Sequence, residues 1–197
     1  EIYMGDWSSD VCSSDLNATN GKTPGGVDWI NQSAAPTTSL VVPGIAPGKG
    51  TRILTLANPS DLQATATLTV NGPNGPFKPA GLSTVQIPAG TVKSVQLDAV
   101  LRGDPSAVTV SSDQPLTAST RTTDATRTDF AVLGSAEALT GPAYLVLPAH
   151  AEPAQLQITA PSKTASVRFE LRDLAGKIIG SRSLDVVNLY GDRKSVV

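Results

Sequence analysis

Four stretches of the sequence carry residue types that could do chemistry. Arg102-Gly103-Asp104 spells the tripeptide that integrins read on a displayed loop, and Pro105 behind it favours a loop. A turn after "LDAVL" uses the same Gly and Asp for geometry alone, and we read the tripeptide as that turn. "GIAPGKGT" at 44–51 has glycines and a lysine of the kind that cradle phosphate. Gly44 to Gly48 is the wrong spacing, however, and Gly50 stands where Ser or Thr would hold magnesium, so we read a strand-connecting loop. Asp124, Asp129 and Glu137 could offer oxygens to calcium. No Asp-x-Asp-x-Asp spacing brings them to one point, and Arg121 and Arg127 among them point to solvated ion pairs. His150, two residues from Glu152, could act as a base, but no nucleophile or third group stands at a motif spacing. It reads as a surface-loop histidine. These residues predict no catalytic site, no metal and no cofactor.

The two ends of the chain differ from what lies between them. "DWSSDVCSSDL" (6–16) has no apolar period, and it shares no composition with the Ala/Thr/Val/Pro-rich sequence that follows. Back-translated, residues 1–16 resemble a short-read sequencing adapter, and Asp192–Val197 resemble the adapter of the opposite end. We therefore expect residues 1–16 and 191–197 to be translated adapter, the first of them disordered, around an internal piece of a longer reading frame. Of 15 basic and 17 acidic residues, two and five lie in these ends, which leaves 13 and 12. A charge so close to balance gives no electrostatic case for nucleic acid or an anionic membrane. Cys12 goes with the first adapter, so disulfides, thiolate nucleophiles and Cys-type zinc sites go too, and His150 alone cannot build a His-based metal site.

The elements that would position any site are strands. "SLVVP" (39–43), "RILTLANP" (52–59), "TATLTVNG" (65–72), "STVQIP" (83–88) and "TVKSVQL" (91–97) alternate or run apolar between turn residues. "SAVTVSS" (106–112), "LTASTRTT" (116–123) and "DFAVLG" (129–134) continue the series. Turn signals every 8–12 residues predict an all-β, immunoglobulin-like sandwich. The inward set is Leu40, Val42, Leu54, Leu56, Leu68, Val70, Val85, Ile87, Val95, Leu97, Val108, Val110 and Phe130. Helix is confined to "LDAVLRG" (97–103) and "SAEALTG" (135–141), one or two turns each. "NGPNG" (71–75) supplies two Asn-Gly pairs for a turn that needs positive φ.

An internal repeat sets the domain boundaries. "LTLANPSDLQATATLTVNGPNG" (54–75) aligns with "LQITAPSKTASVRFELRDLAG" (156–176), with Leu62 as one inserted residue. Ala64 then meets Ala165, Leu68 meets Phe169, Val70 meets Leu171 and Gly75 meets Gly176, while upstream "LVVP" (40–43) meets "LVLP" (145–148). We expect the tail of a preceding β domain or linker at 17–37, a complete sandwich at 38–142 and a truncated second repeat at 143–190. The last unit holds about four of the seven strands a sandwich needs.

A glycan-binding sandwich normally presents a platform of exposed aromatics. Between the two ends lie Trp29, Phe77, Phe130, Tyr144, Phe169 and Tyr190. Trp29 and Phe130 are repeat equivalents and Phe169 aligns with Leu68, which assigns those three to cores. Phe77 and Tyr144 remain the candidate glycan contacts.

"LVVP", "LANP", the "IPAG" turn and "SSDQPLTA" (111–118) together resemble a group of secreted or membrane-anchored actinobacterial proteins of unknown function. The resemblance covers most of 28–187 and implies a cell-envelope or extracellular location behind an anchor outside this sequence. It carries no active site. The reading is a non-enzymatic tandem sandwich segment acting as spacer, scaffold or interaction module. The alternative is a glycan-binding module on the cell wall. A cell-wall glycan or an envelope protein is the expected partner, and the membrane is met only through the anchor.

Overall fold

The computed structural model of the chain describes residues 34–126, 130–146, 155–160, 165–186 and 192–195. The predicted first adapter, Trp29, Asp129, His150, Tyr190 and most of the expected tail at 17–37 lie outside the described residues. Among the described residues twelve strands form: β1 (Thr37–Ile45), β2 (Gly50–Ala57), β3 (Ala64–Gly72), β4 (Gly75–Phe77), β5 (Thr84–Ile87) and β6 (Val92–Gln96) come first. The four-residue helix α1 (Asp98–Leu101) follows, then β7 (Ser106–Asp124), β8 (Phe130–Gly134), β9 (Gln155–Ile158), β10 (Ala165–Arg172), β11 (Ile178–Val186) and β12 (Asp192–Ser195). The fold is the predicted all-β class, with every strand pair antiparallel.

One strand serves both layers of the sandwich. The first half of β7 lies between β1 and β3, with Val110 opposite both Leu40 and Leu68. Its second half lies between β2 and β8, with Thr120 opposite Leu54 and Leu133. The sequence divides this stretch into two strands at Pro115, because proline has no N–H for a ladder. The structure runs them as one. The missing donor costs nothing there, since no residue from Asp113 to Pro115 has a ladder partner and the chain changes sheets at that point. The Asp113 carboxylate accepts the Thr65 N–H at 2.7 Å, and the Ser112 hydroxyl donates to the Gln114 carbonyl at 2.6 Å, bracing the crossing.

Alternation does the rest. Each residue read as inward-facing is at most 7% exposed. Leu40, Leu54, Leu68, Val95 and Val110, from five strands, join one hydrophobic cluster. Leu116, Ala64, Ala66 and Ala118, which the inward set omits, belong to it as well. The helix expected within 135–141 does not form. Ser135 N–H bonds the Ala118 carbonyl at 2.8 Å and Ala136 N–H bonds the Val41 carbonyl at 2.9 Å, so the segment is spent on the two sheets. A helix this short cannot repay its nucleation against such partners.

The β3–β4 turn corrects a second expectation. Gly72 pairs with Gly75, so Pro73 and Asn74 occupy the centre, and of the "NGPNG" residues only Gly75 takes positive φ, 107°. Proline at the first central position presets the negative φ that an Asn-Gly turn centre would have avoided.

Beyond β8 the chain makes two separate pairs, β9 with β12 and β10 with β11. β12 falls in the stretch read as the second adapter. No helix among the described residues is long and apolar enough to cross a membrane.

Candidate functional site

The structure brings two of the sequence candidates together. The loop after β1 and the turn after α1 meet at one end of the sandwich, where Gly48 N–H donates to the Gly103 carbonyl at 2.8 Å. Gly103 sits at φ 83°, and a Cβ there would come within 2.8 Å of the Gly48 carbonyl oxygen. Arg102 closes α1 in the left-handed region at φ 51°, and Asp104 N–H bonds the Leu101 carbonyl at 2.8 Å. The tripeptide is thus a helix-ending turn pinned by its backbone to a neighbouring loop.

The side chain holding this end together is Arg52, which sequence reasoning passed over. It shares the inward parity of Leu54 and Leu56 on β2, and its side chain is 3% exposed. Nε donates to the Ala46 carbonyl at 3.1 Å and Nη2 to the Gly48 carbonyl at 2.5 Å, with Nη1 at 3.4 Å from the Gly50 carbonyl. Asp98, at the first turn of α1, lies 3.9 Å from Nη1, and its carboxylate accepts the Arg52 backbone N–H at 2.6 Å. Buried, and with three of its five N–H donors on loop carbonyls, this guanidinium organises the "GIAPGKGT" loop.

The opposite end repeats the device with Asn58, which is 1% exposed. Its Nδ2 donates to the carbonyls of Leu62 at 2.8 Å, Ile87 at 3.1 Å and Pro88 at 3.2 Å. Its Oδ1 accepts from the Ser60 N–H at 3.0 Å and the Ser60 hydroxyl at 2.6 Å. "LANP" and "IPAG", two of the motifs behind the resemblance, therefore meet through one amide. "SSDQPLTA" is the β7 crossing described above. The signal for Arg52 and Asn58 is their parity: Arg52, Leu54 and Leu56 on β2 and Asn58 just after it are the buried alternate positions, a polar group closing the core at each end.

The remaining candidates stand apart. Asp124 ends β7 with a hydrogen bond from the Thr126 hydroxyl, and Glu137 is exposed after β8. Among the described residues no three His, Cys, Asp or Glu side chains could hold a metal ion together. Phe77 lies on β4 and is 42% exposed; a Cβ on Gly72 would lie 3.6 Å from its ring. Tyr144 lies in the irregular stretch after β8 and is 89% exposed, beside Leu145 at 69% and Val146 at 94%. Phe169 is half-buried on β10. On the same strand, a hydrogen bond from Arg172 holds the Glu170 carboxyl below the usual range, and the charges of Arg172 and Arg168 add to it.

Comparison with solved structures finds a Thermotoga maritima protein designated 1070, with a TM-score of 0.42 and 15% identity over 53% of this chain and 95% of that one. It also finds the Anabaena sensory rhodopsin transducer, with a TM-score of 0.35 and 16% identity over 44% of this chain and 87% of that one. A search of curated proteins gives no match. The model of a family described as "Family of unknown function (DUF5719)" matches residues 13–189, and the chain belongs to that family.

Proposed function

We propose that the chain is a non-enzymatic tandem β-sandwich segment of an exported cell-envelope protein, serving as spacer, scaffold or interaction module. The observation that carries the tandem part is a shared strand placement: β3 and β10, which the internal repeat aligns, each pair antiparallel with the chain that follows them, in registers two residues apart. β3 pairs Ala64 with Ile87 and Ala66 with Val85 on β5, and Val70 with Phe77 on β4. β10 pairs Ala165 with Val186 and Val167 with Leu184 on β11, and its end meets Ile178. Ala64 and Ala165 are the residues the internal repeat aligns, so one continuous β11 takes the place of β4 and β5. Gly75 and Gly176, also aligned, both hold positive φ, at 107° and 83°.

The spacer role is supported by how the polar groups at the strand ends are used. Buried Arg52 and Asn58, and exposed Asp113, each bind loop or strand backbone, which makes a stiff unit with its loops tied down. The envelope location rests on the motif resemblance. Its test has two steps: sequence outward from residues 38–140 in source DNA, then treat intact cells with protease. Continued sandwich repeats behind an export signal or anchor, with the protein cleaved on whole cells, are expected. A reading frame without either, or a protein shielded until lysis, refutes the location.

Exposure of Phe77 and Tyr144 favours a second reading, a glycan-binding module. Retention on insoluble cell-wall polysaccharide that falls in both Phe77→Ala and Tyr144→Ala supports it. Retention unchanged by either substitution removes those residues from the case.

A further inference from the structure

The "NGPNG" turn sets one dipeptide, Asn-Gly, in two different surroundings. The backbone nitrogen that follows an asparagine can attack its side-chain carbonyl carbon, and glycine at that place leaves the nitrogen unshielded and the backbone free to bend into a ring. Three asparagines stand among the described residues: Asn58, Asn71 and Asn74. Asn58 is followed by Pro59, whose nitrogen has no hydrogen to lose, and its amide is held by three carbonyls. Asn71 precedes Gly72, but it is 2% exposed and its Nδ2 donates to the Thr109 hydroxyl at 2.9 Å. The Asn71 Oδ1 is buried with no donor among the described residues, so negative charge developing on that oxygen would go uncompensated. Asn74 has none of these restraints. It is exposed at the centre of the β3–β4 turn, its side chain makes no hydrogen bond among the described residues, and Gly75 behind it presents no Cβ.

We propose that Asn74 is a site of spontaneous deamidation, converted by solvent water into aspartate and isoaspartate while the fold spares Asn71. The Gly75 backbone nitrogen gives its proton to a solvent base and attacks Asn74 Cγ. The new N–C bond forms, the side-chain amino group leaves as ammonia, and a succinimide ring remains. Water then adds to one of the two ring carbonyls. Breaking the bond from the ring nitrogen to Cγ restores the normal backbone with aspartate at position 74. Breaking the bond from that nitrogen to the backbone carbonyl carbon routes the chain through the side chain as isoaspartate. The sum is an amide and water giving a carboxylate and ammonium, with nothing oxidised or reduced. Either product places a negative charge between Pro73 and Gly75. Isoaspartate also lengthens the main chain inside the turn that Gly72 and Gly75 close, which loosens the three-residue β4 and the pairing of Phe77 with Val70.

The test incubates the full chain at mildly alkaline pH in water enriched in heavy oxygen and maps it by peptide mass spectrometry, with fragmentation that separates aspartate from isoaspartate. In the folded chain, uptake of a heavy oxygen at Asn74 should outpace that at Asn71 by about tenfold or more, because Asn71 must wait for its strand to open. In urea, where both dipeptides are equally free, the two rates should converge. Asn20-Gly21, outside the described residues, is read in a separate tryptic peptide ending at Lys22 and does not enter the comparison. Asn74→Gln should stay unmodified at position 74 and leave the Asn71 rate as it was. Equal rates at Asn74 and Asn71 in the folded chain overturn the proposal. So does a ratio that persists in urea, since the local sequence and not the fold would then select the site. In the purified isoaspartate form, amide exchange should quicken in β4 and stay slow where β3 pairs with β7; a β4 as protected as in the parent refutes the loosening.

Discussion

Replacing Arg52 with methionine asks how much of the sandwich's stability sits in one bracing side chain. Methionine keeps the length and the inward packing but loses every donor. Truncating one member of a fully buried ion pair costs about 3–5 kcal/mol. Arg52 falls below that ceiling for two reasons. Asp98 is 25% exposed, and it keeps the Arg52 backbone N–H and the Gln96 side-chain amide at 2.9 Å. Ala46 and Gly48 are exposed, so their carbonyls can turn to water once the guanidinium is gone. What remains is the loss of two well-formed charge-assisted bonds, each about 1.5 kcal/mol at the lower end of the range, so about 2–3 kcal/mol. Asp98→Asn, which removes the 3.9 Å charge contact and one acceptor of the exposed Gln96 amide, costs about 0.5–1 kcal/mol. Urea denaturation measures both as shifts in midpoint at constant slope. The Gly48 amide, bonded to Gly103, should lose exchange protection in the Arg52 variant before the core does. An Arg52→Met protein within about 0.5 kcal/mol of the parent would refute the bracing role, because such a value belongs to an ordinary surface change. Equal costs for the two variants would assign the effect to the ion pair.

Other perturbations probe the remaining joints. Asn58→Ala leaves three carbonyls and the Ser60 donors without their amide partner and is expected to cost about 2–3 kcal/mol in the same assay. Gly103→Ala forces a Cβ to within 2.8 Å of the Gly48 oxygen at φ 83° and should cost about 1–3 kcal/mol, whereas alanine at Gly141, with open space around it, should be near neutral. Leu116→Ala, fully buried just after the β7 crossing, should cost about 2–5 kcal/mol. The Glu170 carboxyl titrates below the ordinary glutamate value, so its bonds to Arg172 and Arg168 stabilise the hairpin above the unfolded pKa of about 4.3 and are lost as pH falls through the lower folded value. Carboxyl-carbon NMR against pH measures that midpoint; one at or above the ordinary value removes the ion pairs from the account.

Apolar alternation made the core legible: Leu54, Leu56, Leu68, Val70 and their partners are buried where a period of two puts them. Polar residues on the same face were harder, because Arg52 and Asn58 read as surface by type although their parity points inward. Pro115 hid the continuity of β7, since a residue that stops one ladder is also one that permits a change of ladder. Ala64, Ala66 and Ala118 gave too little apolar signal to stand out, yet each lines the cluster. "LDAVLRG" did yield a helix, at Asp98–Leu101, while "SAEALTG" did not, because its N–H groups were claimed by strands far away in sequence. The candidate motifs were visible as letters, but that Gly48 and Gly103 would meet is a tertiary fact.

Residue-resolved amide exchange across β3 and β10 tests the tandem account most directly. β3 is flanked by β7 on one edge and by β4 and β5 on the other, and the Leu68 N–H between them bonds the Ser83 carbonyl at 2.9 Å. Slow exchange is therefore expected at every amide from Ala66 to Asn71, and a strict alternation of slow and fast amides along β10, which among the described residues has a ladder partner on one edge only. Uniform protection of β10 in the free chain would mean that its edge is already covered, and would contradict the account.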